Sequence, residues 1–268
     1  MTKALLENID AIPALPESVQ AVEKVYADPE STFEDMCKAI ESDPLLTANI
    51  LRIVNAPLYG LKRNVASIST AISLLGKDAI RTFVLTSAME SNFTIDLSPY
   101  NMTREEFTLA CDRQLALCIN WLIRKESKVI PLLSPAAFLV DLGRVIISKT
   151  LIENGKADVI QTALANGEDI DQAEKTACGA KTTDVTATLF HKWNLDPDII
   201  HIIRYSEDPD GANPDEKRAA AELKAIREAV LPNGEITEAS IETAKETIEE
   251  HDLDLEAFER ALDRVLNS

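Results

Sequence analysis

Apolar residues recur along this chain at helical spacing, and no segment alternates apolar with polar residues as a half-buried strand would. Leu15, Val19, Val22 and Val25-Tyr26 mark a first helix; Phe33, Met36-Cys37 and Ile40 mark a second. Ile68, Ala71, Ile72 and Leu75 form an i, i+3, i+4, i+7 stripe that Gly76 ends, and Ala79-Ile80, Phe83-Val84 and Ala88 carry the pattern into the next helix. A long helix then presents Phe107, Cys111, Cys118 and Trp121. The helix after it, opened by Ser134-Pro135, is apolar nearly all round and is therefore central. The predicted fold class is all-α.

Capping residues place the boundaries. Ser31-x-x-Glu34 and Thr103-x-x-Glu106 have the form of capping boxes, in which a hydroxyl and a carboxylate each satisfy a loose amide of the first turn. Asp43-Pro44, Asp196-Pro197 and Asn213-Pro214 set an N-cap residue before a proline, which lacks a donor where the first turn needs none. The helix begun at Pro44 must stop by Pro57, and residues 91–102, with Pro99, read as a connector. Gly211-Ala212-Asn213-Pro214 is the best boundary in the chain. It separates a helical domain over 1–211 from an acidic segment over 212–268. The domain divides into an N-terminal group (about 1–90) and a bundle (about 103–211). The acidic segment is predicted as three amphipathic helices, 215–230, 236–250 and 254–266, packed on the rest through stripes such as Ile241, Ala244, Ile248 and Phe258, Leu262, Val265.

Four blocks of the N-terminal third stand in a family's order and spacing: Ile12-Pro13-Ala14-Leu15-Pro16, Ile40 to Thr47, Asn55-Ala56-Pro57-Leu58-Tyr59-Gly60, and Ser67-Ile68 through Gly76. Val140 to Arg144, Glu174, Gly179, Trp193-Asn194-Leu195 and Ile203 to Pro209 continue the match. On these residues the chain resembles the HDOD proteins, the HD-related output domains of bacterial signalling, over roughly residues 8–209. The resemblance implies a compact multi-helix HD-like bundle with a role in signal transduction. It makes Asp43, Pro44, Gly60, Gly76, Gly143 and Trp193 structural positions of the family motifs.

The same resemblance bears on catalysis. Phe138-Leu139-Val140-Asp141-Leu142-Gly143-Arg144 has the frame of a His-Asp metal motif with valine in place of histidine, and valine has no lone pair to donate. In the related HD phosphohydrolases, metals are held by separated histidines, the His-Asp pair and a later Asp. Carried onto this chain, those positions fall on Val140 and Asp141, on or near Thr182, and on Ser206-Glu207 where many relatives have His-His. The helix near 107–114 that would supply an upstream histidine has none. His191, His201 and His251 occupy no ligand position. The resemblance thus implies a degenerate site with no metal and no cofactor.

Other chemistry is equally thin. No Gly-x-Ser-x-Gly elbow and no phosphate-cradling glycine loop occurs among the eight glycines. Cys111 and Cys118, seven apart on one helical face, read as core. The four cysteines contain no Cys-x-x-Cys pair, which suits reduced thiols and a cytoplasmic location. No apolar run exceeds five residues, so neither a signal peptide nor a membrane span is expected. The formal charge of −18 argues against nucleic acid and anionic lipid as partners, and residues 206–268 are its most acidic part, with 18 acidic and 7 basic residues.

One block invites two readings. Asn55 to Arg63 either stops a helix, with Asn55 bonding loose backbone groups, or forms a recognition turn. In the second reading Tyr59 stands exposed beside Lys62 and Arg63, with Arg52, Lys77 and Arg81 close by, facing an acidic or phosphorylated partner. The expectation as a whole is a non-catalytic signalling module that binds an unidentified signalling protein. Two alternatives stand beside it. One is a residual metal-dependent phosphohydrolase acting on a nucleotide or cyclic dinucleotide, with Asp141, Glu174 or Asp184 as ligands; the other is a nucleic-acid-binding regulator built on helix pairs over 44–89.

Overall fold

The computed structural model describes residues 1–55, 64–122 and 129–267, with backbone only for 89–92. The helices are α1 (Lys3–Ala11), α2 (Glu17–Ala27), α3 (Phe33–Glu41), α4 (Pro44–Val54), α5 (Ile68–Asn92), α6 (Arg104–Leu122), α7 (Ile130–Leu139), α8 (Leu142–Glu153), α9 (Ala157–Ala165), α10 (Ile170–Cys178), α11 (Thr182–Lys192), α12 (Pro197–Tyr205), α13 (Pro214–Ala229), α14 (Glu238–Glu250) and α15 (Leu255–Leu266). Short 3-10 turns lie at Ser98–Tyr100 and Pro209–Gly211. Among the described residues there is no strand, only an isolated bridge between Leu97 and Met102. The fold is all-α.

Local chemistry explains most of the ends. Asp43 caps α4, accepting from the amides of Leu45 at 2.9 Å and Leu46 at 3.1 Å, and Ser18 Oγ on α2 donates to its other oxygen at 2.8 Å. Pro44 occupies the first turn, where its missing N–H costs nothing. The Thr103–Glu106 capping box forms as predicted. The box before α3 falls one residue later than the sequence suggests: Thr32 and Asp35 exchange the bonds, in place of Ser31 and Glu34. Gly76 interrupts α5 with φ 84° and ψ 160°, a left-handed conformation that a side chain would strain.

Two further expectations are corrected. Ser134-Pro135 does not open the central helix but sits inside α7, which starts at Ile130. Pro135 offers no donor to the carbonyl of Pro131, and Arg81 Nη1 reaches that oxygen at 3.4 Å instead. The chain also forms a helix, α1, ahead of Leu15. Leu5 and Ile9 supply a single buried stripe, too short for periodicity to stand out.

Helices α2 to α5 pack on one another, and the part of α5 beyond Gly76 joins them to α7. Helix α1 lies against α8 and α11 rather than against that N-terminal group. Its last carbonyls, at Ile9, Asp10 and Ile12, receive Lys192 Nζ at 2.9, 2.6 and 2.7 Å, so one ammonium satisfies a helix end. Trp193 Nε1 donates to Pro13 O at 3.0 Å, and its ring lies beside Phe190 and Phe93. Trp193 is therefore the clasp between α11 and the α1–α2 connection.

The stretch Ile130–Glu153 is long and apolar enough to cross a membrane by composition, but it is broken at Val140-Asp141 and 83% of its most apolar 18-residue window is buried within the protein. It is the core of the bundle. Helix α8 meets α11 at Gly143, where a Cβ would lie 2.1 Å from the carbonyl oxygen of Thr182. The Gly143 amide uses that closeness to donate to Thr186 Oγ1 at 2.8 Å.

The acidic C-terminal helices fall within a few residues of their predicted spans. Helix α13 packs on α12, α7 and α6, and α14 packs on α13. Helix α15 covers α6, with Phe258 meeting Trp121 edge to face at 5.0 Å and Trp121 Nε1 donating to Asp254 O at 3.0 Å. Phe258 is fully buried. Phe258→Ala is expected to cost about 3–5 kcal/mol through cavity formation, measured by urea denaturation. It should also make α14–α15 the first segment cut in limited proteolysis, whereas the parent protein keeps that segment.

Candidate functional site

The Val140-Asp141 corner ends α7 and starts α8, and the Asp141 side chain makes no cap to α8. It turns instead into a cleft of about 430 Å³ formed where α8, α10, α11, α12 and α13 converge. Gln114 Nε2, from α6, donates to Asp141 Oδ2 at 2.8 Å. Two guanidinium groups meet its other oxygen: Arg227 Nη2 at 3.2 Å and Arg144 Nη2 at 3.4 Å. The helix expected to bear an upstream metal ligand thus does face Asp141, through an amide.

Two more carboxylates complete the network. Glu207, just beyond α12, accepts from Arg227 Nη1 at 3.3 Å, from Thr183 Oγ1 at 2.8 Å and from Lys181 Nζ. Glu174, fully buried on α10, accepts from Tyr100 OH at 2.9 Å, from Thr182 Oγ1 at 2.7 Å and from the Thr182 amide at 2.6 Å. Arg144 Nε stands 3.7 Å from Glu174, and its guanidinium lies 5.6 Å from the centre of the Tyr100 ring. Three cations and three carboxylates therefore interleave, with Asp141, Arg144 and Glu174 buried and Lys181, Glu207 and Arg227 reaching the cleft.

The charge balance sets the proton affinities. Burial opposes ionisation of Asp141, but Arg144 and Arg227 outweigh it and hold its pKa at about 2. Burial likewise opposes the charge of Glu207, and Arg227 and the Lys181 bond bring its pKa below the usual carboxylate range. At Glu174 burial wins and the pKa rises despite Arg144, Thr182 and Tyr100. Asp171, at the cleft wall, is pushed up to about 7 by burial, with Glu207 and Glu174 adding repulsion that Arg227 only partly offsets.

Of the positions singled out in the sequence, Asp141 and Ser206 line this cleft. Thr182 is buried and bonded to Glu174, and Ser206 Oγ is engaged with Ile203 O at 2.9 Å. Val140 is fully buried, and its carbonyl accepts from Thr186 at 2.8 Å. None of His191, His201 and His251 lines the cleft; His201 Nδ1 faces Glu216 at 3.1 Å. Asp184 caps α11 through the Lys181 amide. Among the described residues, no three His, Cys, Asp or Glu side chains are grouped to hold a metal. All four cysteines are reduced and buried, and burial pushes the Cys111 and Cys118 thiols up.

The proposed recognition turn is placed only in part. Asn55 clamps the chain across the turn: its amide nitrogen donates to Leu51 O at 2.7 Å and Val65 O at 2.9 Å, and its oxygen accepts from the Val65 amide at 2.8 Å. Tyr59, Gly60, Lys62 and Arg63 lie outside the described residues. Arg81 does not belong to an exposed patch. It is 3% exposed, forks onto Glu23 at 2.8 and 2.7 Å, and lies over the Tyr26 ring at 4.3 Å. Lys77 approaches the same ring at 5.3 Å.

Sequence reasoning did not find Arg227, Lys181, Gln114 or Asp171 as site residues. Lys224 and Arg227, one turn apart in a segment of net negative charge, were the available signal. Asp141→Asn leaves two buried guanidiniums facing a neutral group and is expected to cost about 3–5 kcal/mol at pH 7. Because Asp141 is more acidic folded than unfolded, its contribution is complete above pH ~4 and disappears as pH falls towards 2. Denaturation at several pH values should therefore show the parent and the variant converging in acid.

The chain is similar to several known proteins. The crystal structure of a virulence factor from Campylobacter jejuni subsp. jejuni is 29% identical, covers 100% of this chain and 99% of its own, and superposes with a TM-score of 0.62. A candidate phosphohydrolase from Shewanella amazonensis SB2B is 21% identical over 98% of this chain and 93% of its own, with a TM-score of 0.70, a likeness of fold. An uncharacterized protein of Treponema pallidum (strain Nichols) is 25% identical over 76 residues, and the match spans 15% of that relative's length. The HDOD domain model matches residues 12–209, which take in the Asp43-Pro44 cap, the Val140-Asp141 corner and the Trp193 clasp. This chain belongs to the HDOD domain family.

Proposed function

We propose that the protein is a non-catalytic signal-transduction module of the bacterial cytoplasm that acts by binding another protein. One observation carries the reading: Arg144 and Arg227 both sit on one oxygen of Asp141, the aspartate of the His-Asp frame, and Arg227 also takes Glu207. A metal would have to displace two guanidiniums, and Val140, Thr182 and Ser206 offer it neither imidazole nor carboxylate. The cluster does structural work, holding α8, α10, α12 and α13 together by charge.

In this reading the partner meets the segment from Asn55 to Arg63. Its sequence sets Tyr59 beside Lys62 and Arg63 in a chain of formal charge −18, an aromatic anchor with local positive charge. The same net charge disfavours nucleic acid as partner. The fold likeness to a candidate phosphohydrolase keeps hydrolysis as the outcome to test against.

Elemental analysis of purified protein should give far less than one transition metal per chain, and no release of phosphate from phosphomonoesters or cyclic dinucleotides. Stoichiometric metal together with turnover that Asp141→Asn abolishes would replace this reading with the enzymatic one. Charge reversal at Lys62 and Arg63 to glutamate should weaken partner association about tenfold or more and leave the melting temperature nearly unchanged, since exposed charges contribute little to folding. Equal association by parent and variant would move the binding face elsewhere.

A further inference from the structure

The charges that line the cleft do not pair off completely. The four cations are all engaged: Arg144 with Asp141 and Glu174, Lys181 with Glu207, Arg227 with Asp141 and Glu207, and Lys224 with Glu228 at 3.9 Å. Asp169 is engaged as well, because its carboxylate caps α10 by accepting from the amides of Asp171 and Gln172 at 3.0 Å each. Asp171 is the carboxylate left over. Among the described residues it accepts no hydrogen bond and has no cation at ion-pair distance, although it is half-buried in the cleft wall.

A carboxylate so placed loses hydration on ionising and gains little in return. Glu174 on its own helix and Glu207 across the cleft repel its charge, while Arg227 and Arg144 attract it only from a distance and already serve other anions. The first turn of α10 favours a negative charge, but Asp169 already occupies that helix end. The proton therefore stays on Asp171 until about pH 7.

We propose that Asp171 is a proton switch for the cleft: protonated, it lets the first turn of α10 seat against the charged network; ionised, it repels Glu174 and Glu207, contests Arg227 with them, and loosens that turn. The switch goes beyond the signalling reading and holds whether or not a partner binds. Its direction follows from linkage. The unfolded chain releases this proton near pH ~4 and the folded chain keeps it until about 7, so stability falls as pH rises through that window and is level above it.

The test uses the full chain, carbon-13 labelled at its aspartate carboxyls, with the Asp171 resonance assigned through its backbone. That resonance should titrate with a midpoint between about 6 and 8, against about 4 for an exposed aspartate. Hydrogen exchange, corrected for the intrinsic rate at each pH, then reads the amides of Asp171, Gln172 and Ala173, which bond to Asp169. They should be protected about threefold or more better near pH 6 than near pH 8. Asp171→Asn cannot ionise, so its folding equilibrium constant should gain on the parent's by about tenfold or more from pH 5 to pH 8, with exchange in α10 no longer pH-dependent. Should that variant not fold, the two measurements on the parent decide. A midpoint below about 5 overturns the proposal. So does a midpoint near neutrality with unchanged protection of α10, which would make Asp171 a titrating group that moves nothing.

Discussion

Asp141 is a charged group at the centre of a bundle, and it is tolerable there only because two guanidiniums share one of its oxygens while Gln114 donates to the other. An isolated buried carboxylate would cost many kcal/mol or take up a proton. Here the pKa falls to about 2, so attraction exceeds the burial penalty. Each arginine then needs an anion of its own. Arg144 finds Glu174 and Arg227 finds Glu207, and through these pairs the corner between α7 and α8 dictates how α10, α12 and α13 must sit.

That dependence extends past the family match, which ends at residue 209. Arg227 belongs to α13, in the acidic C-terminal segment, yet it supplies the shortest cationic contact to Asp141. The segment is therefore not a solubilising tail. Many of its carboxylates, such as Glu242, Glu249 and Glu256, are exposed, while Lys224, Arg227 and Glu228 line the cleft. Buried Phe258 against Trp121 anchors the far end of the same segment on α6.

Much of the fold was legible because its signals are local. A cap, a proline and an apolar stripe act within one or two helical turns, and Asp43-Pro44, Thr103-Glu106 and the three C-terminal helices fall where those signals put them. The misses share a cause. Thr32 rather than Ser31 caps α3 because the competing hydroxyl is one residue away, and Ser134-Pro135 entered a helix because Arg81, distant in sequence, relieves the orphaned Pro131 carbonyl. Helix α1 owes its end to Lys192. The degenerate corner was visible in Val140, but its replacement chemistry was not, since Asp141 and Arg227 are 86 residues apart and no motif links them.

Arginine at this corner couples the site to the rest of the fold in a way that a metal ion would not. A metal ion leaves when chelated and takes only its coordination energy with it, whereas a guanidinium is tethered to a helix. Any ligand that competes for Asp141 or Glu207 must loosen Arg227 and so oppose the docking of α13. Occupancy of the cleft and packing of the C-terminal helices are thus coupled, because both draw on the same four nitrogen–oxygen contacts.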